Sequence, residues 1–389
     1  MNTMHVSTPA PVSSAVSLGM PRLRRTEPRA GLRVPTAPLG LPARPDVPEL
    51  VDRFGRTARD LRVSLTDRCN LRCRYCMPAE GIDPLPGQDI LTDDEVIRLV
   101  RIAAHRLGIR ELRLTGGEPL LRKGLEKIVA ASSALTTQDG QRLDVSLTTN
   151  ALGLARRAAG LKEAGLSRVN ISLDAADRET YAKLTRRDRY EDALAGARAS
   201  AAVGLSPIKV NAVLMPGIND HQAGHMLFQA LTSGYRLRFI EHMPLGPRGA
   251  WTREGMITAD DILAALASDF RLVATGAGQR GASPAEEWRV LPGKFRGREH
   301  PGGTVGVIAS MTRPFCGDCD RTRLTADGQI RACLFSAEET DLRGLMRAGA
   351  SDEEIADAWR LAMWGKQAGH GTNEPGFRQP DRPMSAIGG

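Results

Sequence analysis

The chain has 389 residues, of which 41% are hydrophobic and 25% charged, as is typical of a folded globular protein with two or three domains. No apolar run approaches the ~20 residues that a membrane-spanning helix needs, which excludes a protein with such helices. The net charge is +8, but residues 1–45 hold six arginines against one acidic residue, and the +3 of the remaining sequence argues against a dedicated nucleic-acid groove.

Residues 1–45 form the first predicted segment, an extension rich in Pro, Ser, Ala and Arg without helical or strand periodicity. Such a composition cannot bury a core, so we predict that the extension is disordered. An Arg-rich, acid-poor start is also typical of a mitochondrial transit peptide, but eight prolines disfavour an amphipathic targeting helix. We therefore expect a cytoplasmic protein with a bacterial-type extension, and organelle import is the alternative.

From residue 60 onward, apolar, β-branched segments alternate with helical patterns. The clearest helix runs from Thr92 to Gly108, with a capping box formed by Thr92 and Glu95. Six βα units in series predict a parallel sheet, and six units are fewer than the eight of a closed barrel. The expected fold class is therefore α/β, with an open or incomplete barrel over residues 46–270. The predicted strands are Leu61–Leu65, Glu111–Leu114, Leu143–Thr148, Arg168–Leu173, Ile208–Leu214 and Arg236–Glu241.

After about residue 270 the pattern changes to short segments that are typical of antiparallel strands. The dipeptide Asp327-Gly328 is a strong turn signal and predicts a hairpin. We expect a second domain over residues 271–345, and a C-terminal helix with a Gly-Gly tail over residues 346–389. The predicted elements are the strands Glu287–Val290, Thr304–Ser310, Arg321–Thr325 and Gln329–Leu334, and the helix Asp352–Met363.

All six cysteines fall into two triplets. The first triplet, Cys69, Cys73 and Cys76, follows the first predicted strand with the spacing C-x3-C-x2-C. The second has the spacing C-x2-C-x13-C, and the hairpin returns its last cysteine toward the first two. This second triplet consists of Cys316, Cys319 and Cys333.

The number of thiols in each triplet indicates the kind of metal site. Structural zinc takes four protein ligands, and no nearby histidine completes either triplet. A 4Fe–4S cluster with three cysteine ligands instead keeps one iron free for a substrate atom. The two triplets therefore favour two 4Fe–4S clusters. Catalytic zinc held by three cysteines, or unrelated buried thiols, are the alternatives.

A glycine-rich segment, Thr115–Pro119, ends the second predicted strand. Adjacent glycines bring the backbone close to a ligand, and Glu118 can accept a hydrogen bond from an ammonium group. An ordinary βα turn is the alternative. Together with the first triplet and Tyr75, the segment resembles the radical S-adenosylmethionine superfamily. The resemblance implies that the open iron chelates the methionine part of that cofactor.

The second triplet carries a closer resemblance. Residues Cys316–Arg323, with Cys333 after them, resemble the GTP 3′,8-cyclases of molybdenum cofactor biosynthesis, and the likeness runs from about Asp52 to the end. One departure is Ala151, where the family usually has glycine; because alanine takes positive φ less readily, we expect a slightly different turn without loss of activity. Other matching motifs are Leu61–Cys69, Thr148–Asn150, Ile171–Asp174, Ile208–Asn211, Glu241–Pro244 and Arg382–Gly389.

The resemblance implies a fold and a reaction. The fold is an incomplete six-unit α/β barrel whose open side is closed by the C-terminal strands. The reaction converts GTP and S-adenosylmethionine to (8S)-3′,8-cyclo-7,8-dihydroguanosine 5′-triphosphate, through removal of hydrogen from C3′ and attack on C8 of the guanine. The implied partners are an external one-electron donor and a downstream cyclic pyranopterin monophosphate synthase. We expect neither nucleic acid nor a membrane as a partner, and a homodimer stays open.

The resemblance also implies roles for individual residues. The first triplet binds the cluster that cleaves S-adenosylmethionine, and the free iron of the second meets the guanine base. Gly388 and Gly389 reach into the cavity and help to place a cation such as Arg321 or Arg323. The implied cofactor contacts are Tyr75, Gly117, Ser172 and Met243, and the implied GTP contacts are Arg62, Arg113, Thr148, Lys209, Arg321, Thr322 and Arg323.

The positions of these residues along the chain support the assignment independently. Gly117, Thr148, Ser172 and Met243 fall at or just after the ends of different predicted strands, where barrel enzymes place their sites. Taken singly, each arginine or lysine among the implied GTP contacts would be expected on the solvent-exposed surface. Several cations that converge on one cavity, however, suit a triphosphate.

The predicted hairpin contains a conflict. A strict two-residue turn places Cys333 opposite Thr322, on the other side of the strand from Arg321 and Arg323. Either a bulge alters this register, or the two arginines lie before the part of the hairpin in which the strands pair regularly.

Two other functions compete with the cyclase. One is a radical enzyme that acts on a peptide and uses the second cluster as an electron relay. The arrangement Cys-x-Arg-x-Arg from Cys319 and the Gly-Gly end favour the cyclase over it. The other is a zinc-binding, nucleic-acid-associated protein, which would lack the visible absorption of iron–sulfur clusters.

Overall fold

The computed structural model describes residues 41–276 and 280–388. The predicted N-terminal extension lies outside the described residues up to residue 40, as does Gly389. The boundary at residue 45 stays a prediction, and residues just before it make hydrogen bonds with the folded chain. Trp364 donates its indole N–H to the carbonyl oxygen of Pro42 at 2.8 Å, and the Arg44 guanidinium donates to the Glu49 carbonyl at 2.9 Å.

Parallel strands in chain order form the centre of the sheet, as predicted. Each is a mainly buried run that contains apolar and β-branched residues, as expected for a parallel sheet covered by helices. Each strand pairs with the next along the chain. The predicted bounds are confirmed to within one residue. These strands are β1 (Asp60–Ser64), β2 (Glu111–Thr115), β3 (Asp144–Thr149), β4 (Arg168–Ser172), β5 (Ile208–Val213) and β6 (Arg236–Ile240).

Helices follow the strands and cover the sheet. The predicted capping box is confirmed: the Thr92 hydroxyl accepts from the Glu95 N–H at 3.2 Å, and the Glu95 carboxylate accepts from the Thr92 N–H at 2.8 Å. Gly108 takes φ +73° just past the helix end, as a C-terminal cap requires. The helices are α1 (Asp93–Arg106), α2 (Leu125–Ser133), α3 (Leu154–Glu163), α4 (Arg178–Thr185), α5 (Tyr190–Ala202), α6 (Ala223–Thr232) and α7 (Ala259–Ala267).

The chain after α7 adds short strands. They are β7 (Leu272–Ala274), β8 (Glu286–Val290), β9 (Gly293–Phe295), β10 (Arg298–His300), β11 (Gly303–Ile308), β12 (Arg321–Leu324), β13 (Gln329–Arg331) and β14 (Thr340–Asp341).

These later strands extend both edges of the central sheet. The expected antiparallel pairing is confirmed for β8 with β11 and for β12 with β13. On its other side, β11 pairs parallel with β6 and β12 pairs parallel with β1, which was not predicted. The order is β14-β13-β12-β1-β2-β3-β4-β5-β6-β11-β8-β7, and β9 and β10 form a separate hairpin. In the part of the chain that the structure describes, the sheet therefore has β14 and β7 at its edges and does not close by strand pairing.

The strands β12 and β13 form the predicted hairpin, but with a different register. The Thr325 N–H donates to the Gln329 carbonyl at 2.9 Å, and Arg323 pairs with Arg331, so the connection has three residues instead of two. Cys333 lies two residues beyond Arg331, which places it on the same side of the alternation as Arg323. The register shift removes the conflict that the strict turn created.

The chain after β13 returns as helices that pack near β12 and α1. The helices are α8 (Leu342–Arg347), α9 (Asp352–Trp364) and α10 (Met384–Ile387), so the predicted C-terminal helix is confirmed. Trp359 of α9 is fully buried and donates its indole N–H to the Thr322 hydroxyl at 3.0 Å. Among the described residues, no helix is long and apolar enough to cross a membrane.

The contacts of residues 42 and 44 generate a stability prediction. A chain that lacks residues 1–40 should unfold at the same temperature as the full chain and keep its activity. A chain that lacks residues 1–44 should have a Tm lower by a few degrees, because hydrogen bonds of ~1 kcal/mol each are lost. Scanning calorimetry of the three chains measures this, and equal midpoints for the two shortened chains would show that the contacts of residues 42 and 44 do not stabilise the fold.

Candidate active site

A cleft lies where the parallel strands β1–β6 end. Its volume is about 1450 Å³, with the open solvent at its mouth included. All three cysteines of the first triplet line it, as do Phe315 and Leu334, which are neighbours of the second triplet. The cleft therefore extends from the first triplet to residues next to the second triplet, whose Cys333 lines a separate cavity.

The first triplet sits on a tight loop after β1. The N–H groups of Cys76 and Met77 both donate to the Cys73 carbonyl, at 3.0 and 3.1 Å, which turns the loop back on itself. Burial and, to a smaller extent, the neighbouring Cys69 thiolate raise the pKa of Cys76 to about 12. The thiols thus lie close to one another, and a bound metal would favour their ionisation, which burial opposes.

The second triplet lies between the short 3-10 turn Cys316–Asp318 and the end of β13. Burial and the nearby thiolates of Cys333 and Cys319 raise the pKa of Cys316. Burial opposes ionisation of Cys319, but the charges of Lys366 and Arg321 outweigh it and lower its pKa. The Lys366 ammonium lies 3.5 Å from the Cys319 sulfur. The hairpin thus brings Cys333 to the other two thiols, as predicted.

The cysteine thiols and the nearby histidine indicate which kind of metal site each triplet can form. In the described ranges, no group of three or more His, Cys, Asp or Glu side chains is arranged to hold a metal ion. His370 does not complete the second triplet, because its ring nitrogens contact the Ser310 carbonyl at 3.1 Å and the Thr372 hydroxyl at 2.7 Å. Thiolates that each bind a different iron of a cluster need not converge on one ion, so both triplets fit iron–sulfur clusters better than zinc.

The glycine-rich segment after β2 passes very close to the loop that carries the first triplet. The Gly117 N–H donates to the Thr66 carbonyl at 2.6 Å, and a Cβ on Gly117 would lie 2.2 Å from the Arg68 carbonyl oxygen. Glycine is therefore the residue that this position accepts. Its backbone lines the cleft beside the cysteines.

Glu118 holds the next loop in place. Its buried carboxylate accepts from the Thr149 hydroxyl at 2.7 Å, the Asn150 N–H at 2.7 Å and the Leu120 N–H at 3.0 Å. Burial raises its pKa to about 7. The sequence predicted an ammonium group as the partner of this carboxylate. In the structure, the carboxylate already accepts hydrogen bonds from three donors of the protein itself. Ala151 follows at φ +66°, so alanine keeps the left-handed turn that usually contains glycine.

The predicted cofactor residues on the other strands also reach the cleft. Ser172 and Met243 line it, and the Tyr75 hydroxyl donates to the Asp174 carboxylate at 2.8 Å. Asp174 in turn accepts from the Val213 N–H at 2.8 Å. Asp174 was not among the predicted site residues. The signal for it was its place directly after Ser172–Leu173 at the end of β4.

Three arginines surround one carboxylate beneath the cleft. Arg62, Arg113 and Arg321 place guanidinium nitrogens 3.6, 3.7 and 3.5 Å from Asp60 Oδ2. Burial would raise the pKa of Asp60, but the charges of Arg62 and Arg113 outweigh it and lower that pKa to about 2. Burial and the other arginines lower the pKa of Arg62 well below its usual range. The site thus holds more buried positive than negative charge.

Strand register explains why the arginines meet. Arg62 of β1 pairs with Arg113 of β2 on one side and with Arg323 of β12 on the other. Arg238 of β6 was not predicted, although it lines the cleft and its guanidinium donates to the Asn211 and Asn170 side chains at 2.9 and 2.8 Å. Burial and Arg113 lower its pKa to about 9.

The remaining predicted substrate residues differ in their placement. Thr148 lines the cleft. Lys209 is not one of the lining residues, but burial and the charge of Arg238 lower its pKa to about 8, which shows that it is close to the cations. The Thr322 side chain faces away from the cleft, because its hydroxyl accepts from Trp359 on the opposite side of β12.

The described part of the tail, up to Gly388, reaches the cleft. Met384 and Ser385 line it, and the Gly388 carbonyl accepts a hydrogen bond from Arg323. Gly388 has φ +81°, and a Cβ there would lie 2.7 Å from a methyl carbon of Thr115. Arg382 anchors this segment through buried contacts to the carboxylates of Asp327 at 2.7 Å and Glu339 at 2.6 Å.

Comparisons with known proteins give the class. A family model described as the radical SAM superfamily matches residues 63–230, and one described as Molybdenum Cofactor Synthesis C matches residues 235–372. The fold is similar to that of Streptococcus suis SuiB bound to S-adenosylmethionine, with a TM-score of 0.50 and 16% identity over 78% of this chain and 66% of that chain. The protein is a radical S-adenosylmethionine enzyme with iron–sulfur clusters.

Curated relatives narrow the class to a family. The chain is 58% identical over 342 residues to GTP 3′,8-cyclase of Corynebacterium glutamicum, with 87% of this chain and 89% of the relative covered. It is 58% identical over 340 residues to GTP 3′,8-cyclase of Streptomyces coelicolor, with 87% and 96% covered. The chain belongs to the GTP 3′,8-cyclase family.

The position of Asp60 among the arginines generates a prediction. Asp60→Asn removes the one carboxylate that faces three buried cations, so unfolding free energy should fall by ~3–5 kcal/mol. Asp60 is more acidic in the folded than in the unfolded chain, so its stabilising contribution is complete above about pH 4. It is lost as the pH falls toward about 2, and it amounts to ~2 kcal/mol.

Urea unfolding of the wild type and Asp60→Asn at pH 7 and at acid pH measures this contribution. The double variant Asp60→Asn with Arg62→Met should recover part of the stability, because one cation fewer is left uncompensated. A loss below ~1 kcal/mol for the single variant would show that the arginines do not depend on Asp60.

Proposed function

We propose that this chain converts GTP and S-adenosylmethionine into (8S)-3′,8-cyclo-7,8-dihydroguanosine 5′-triphosphate in the cleft, as a GTP 3′,8-cyclase of molybdenum cofactor biosynthesis. The observation that carries the proposal is one cleft that is lined by the first cysteine triplet, by sequence neighbours of the second triplet and by buried arginines. Its membership of the family supports the same reaction. A peptide substrate would leave these cations without a triphosphate to balance them.

Each triplet would hold a 4Fe–4S cluster with one iron that has no protein thiolate. Cys69, Cys73 and Cys76 would hold the first cluster. With S-adenosylmethionine, that cluster supplies the radical chemistry that removes the hydrogen from C3′. The second cluster would bind through Cys316, Cys319 and Cys333 and present its free iron to the guanine base.

The residues around the first triplet would place S-adenosylmethionine. The missing side chain of Gly117 lets its loop pack against the Arg68 carbonyl beside the first triplet, and Gly117, Ser172 and Met243 line the cleft where the methionine part would bind. Tyr75, fixed by its hydrogen bond to Asp174, would order the first loop around the cofactor. These side chains bind and orient the cofactor and keep water from it.

The buried cations would bind the triphosphate. A guanidinium group offers paired hydrogen-bond donors to phosphate oxygens. Binding of the triphosphate would therefore reduce the electrostatic repulsion among the arginines. Arg238 joins the predicted set on the strength of its place in the cleft. Thr322 would contribute through the backbone of β12, since its hydroxyl serves Trp359. The proposed set is Arg62, Arg113, Thr148, Lys209, Arg238, Arg321, Thr322 and Arg323.

The tail would complete the site. Gly388, with Gly389 after it, holds Arg323 through a carbonyl and so would orient that guanidinium toward the substrate. Arg321 and Arg323 would then act beside the reacting nucleoside, between the two clusters.

The wider setting of the reaction follows from the same proposal. We infer that strands β1–β6 form an incomplete barrel, whose open side is covered by the strands that extend each edge. The barrel would span residues 46–270, the second-cluster domain residues 271–345, and the helix and tail residues 346–389. The enzyme would act in the cytoplasm with an external one-electron donor. Its product would pass to a cyclic pyranopterin monophosphate synthase, and the subunit would work as a monomer or homodimer.

Separate cysteine variants test the two cluster roles. Cys73→Ser should abolish cleavage of S-adenosylmethionine, because the first cluster loses a ligand. Cys319→Ser should leave cleavage but give no cyclised product, because GTP is no longer held at the second cluster. Chromatographic assay of 5′-deoxyadenosine and of the product, beside iron content, measures both. Normal cyclisation by Cys319→Ser would refute the role of the second triplet.

The tail is tested by a matched pair of glycine variants. Gly388→Ala should leave iron content and folding unchanged but reduce product formation by ~10-fold or more, because the new Cβ would displace the carbonyl that holds Arg323. Gly376→Ala is the control, since Gly376 also has positive φ but has open space around it. Equal product formation by both variants would show that the position of the Gly388 carbonyl does not affect the reaction.

A further inference from the structure

A group of cations on the surface around the first cysteine loop takes no part in the proposed reaction. Arg72 and Arg74 flank Cys73 in the chain, and the end of α4 lies against the same loop. We define the first-loop basic patch as Arg68, Arg72, Arg74, Lys183, Arg186 and Arg187.

Hydrogen bonds fix the two halves of this patch to each other. The Arg72 N–H donates to the Thr185 carbonyl at 2.9 Å, and the Arg74 guanidinium donates to the Lys183 carbonyl at 2.9 Å. In the reverse direction, the Arg186 guanidinium donates to the Arg72 carbonyl at 2.8 Å. The positive charges therefore keep a fixed place beside the first triplet.

The charge of the patch is not balanced within the chain. Among the described residues, no carboxylate forms an ion pair with any of its six members. Asp188, next to Arg187 in the chain, pairs instead with Arg178, and the carboxylate of Asp67, next to Arg68, accepts a hydrogen bond from the Leu85 N–H. Four members of the patch are exposed to solvent. Like charges crowded on a surface outside the substrate cleft suit an anionic partner.

We propose that the first-loop basic patch is the docking surface of an acidic one-electron carrier protein. The proposal rests on the proposed function, since an electron is needed here only if the first triplet holds a cluster. The reduced carrier gives up one electron to that cluster, and cleavage of one S-adenosylmethionine consumes it. The two cations that flank Cys73 would bring the carrier to within one residue of a cluster ligand.

The surface is less suited to a nucleic acid. Single strands bind where exposed aromatic rings stack on bases between the cations. The aromatic side chains that border the patch on α4 and α5, Tyr181 and Tyr190, are buried. Charge without stacking partners favours a folded acidic protein, whose approach is steered by long-range attraction.

Charge reversal with a matched control tests the surface. The patch variant carries Arg74→Glu, Lys183→Glu and Arg187→Glu, and the control variant carries Arg156→Glu, Arg271→Glu and Arg289→Glu, which are exposed cations elsewhere. The probe is a purified acidic ferredoxin, with photoreduced deazaflavin as the small reductant. Calorimetric titration with oxidised ferredoxin measures binding, and 5′-deoxyadenosine measures electron delivery.

We expect the patch variant to bind ferredoxin at least ~10-fold more weakly than the control variant and to lose most of the salt dependence of binding. Both variants should keep their iron and should cleave S-adenosylmethionine normally with deazaflavin. If the triple Glu variant does not fold, the corresponding triple Gln variant should show a smaller loss in the same direction.

The other outcomes separate the two proposals. A wild-type chain without iron, or without deazaflavin-driven cleavage, would refute the proposed function. With both intact, equal ferredoxin binding by the patch and control variants would overturn the docking surface. Tighter binding of a single-stranded oligonucleotide than of ferredoxin to the wild-type patch would also overturn it, in favour of nucleic acid.

Discussion

The repulsion among the buried arginines is the constraint on which the rest of the site depends. One carboxylate, that of Asp60, faces three guanidinium groups, and the carbonyl of Gly388 holds a fourth, that of Arg323. Burial strengthens every such interaction, so the arrangement persists only because the strands around it fix each arginine. A bound triphosphate would supply the missing negative charge. The free protein is therefore less stable around this cleft than the complex would be.

Strand pairing across the whole chain creates this arrangement. β12 lies about 260 residues after β1 in the chain, yet the two pair directly, which sets Arg323 beside Arg62. The same hairpin carries the second triplet, and the ion pair between Asp327 at its turn and Arg382 anchors the tail. The hairpin of β12 and β13 thus positions the arginines, the second triplet and the tail. A disturbance of the hairpin would affect all three together.

Much of this could be predicted from the sequence, because strands and helices have local signatures. The alternation of apolar segments with helical patterns predicted the six parallel strands, and the spacing of the cysteines predicted both triplets. Periodicity defines a strand but not its neighbour, so the parallel partners of β11 and β12 were missed. Arg238 was missed for the same reason, since only the register beside Asn211 shows that it faces the cleft. A turn of three residues instead of two changed which face carries Cys333.

Two cysteine triplets would hold clusters that serve one GTP site. Anaerobic reconstitution followed by turnover with GTP, S-adenosylmethionine and a reductant tests it most directly, with iron, sulfide and product measured on the same sample. We expect about eight iron and eight sulfide per chain, together with conversion of GTP to the 3′,8-cyclised triphosphate. Zinc bound at the triplets without visible charge-transfer absorption, or full cluster content without cyclised product, would contradict it.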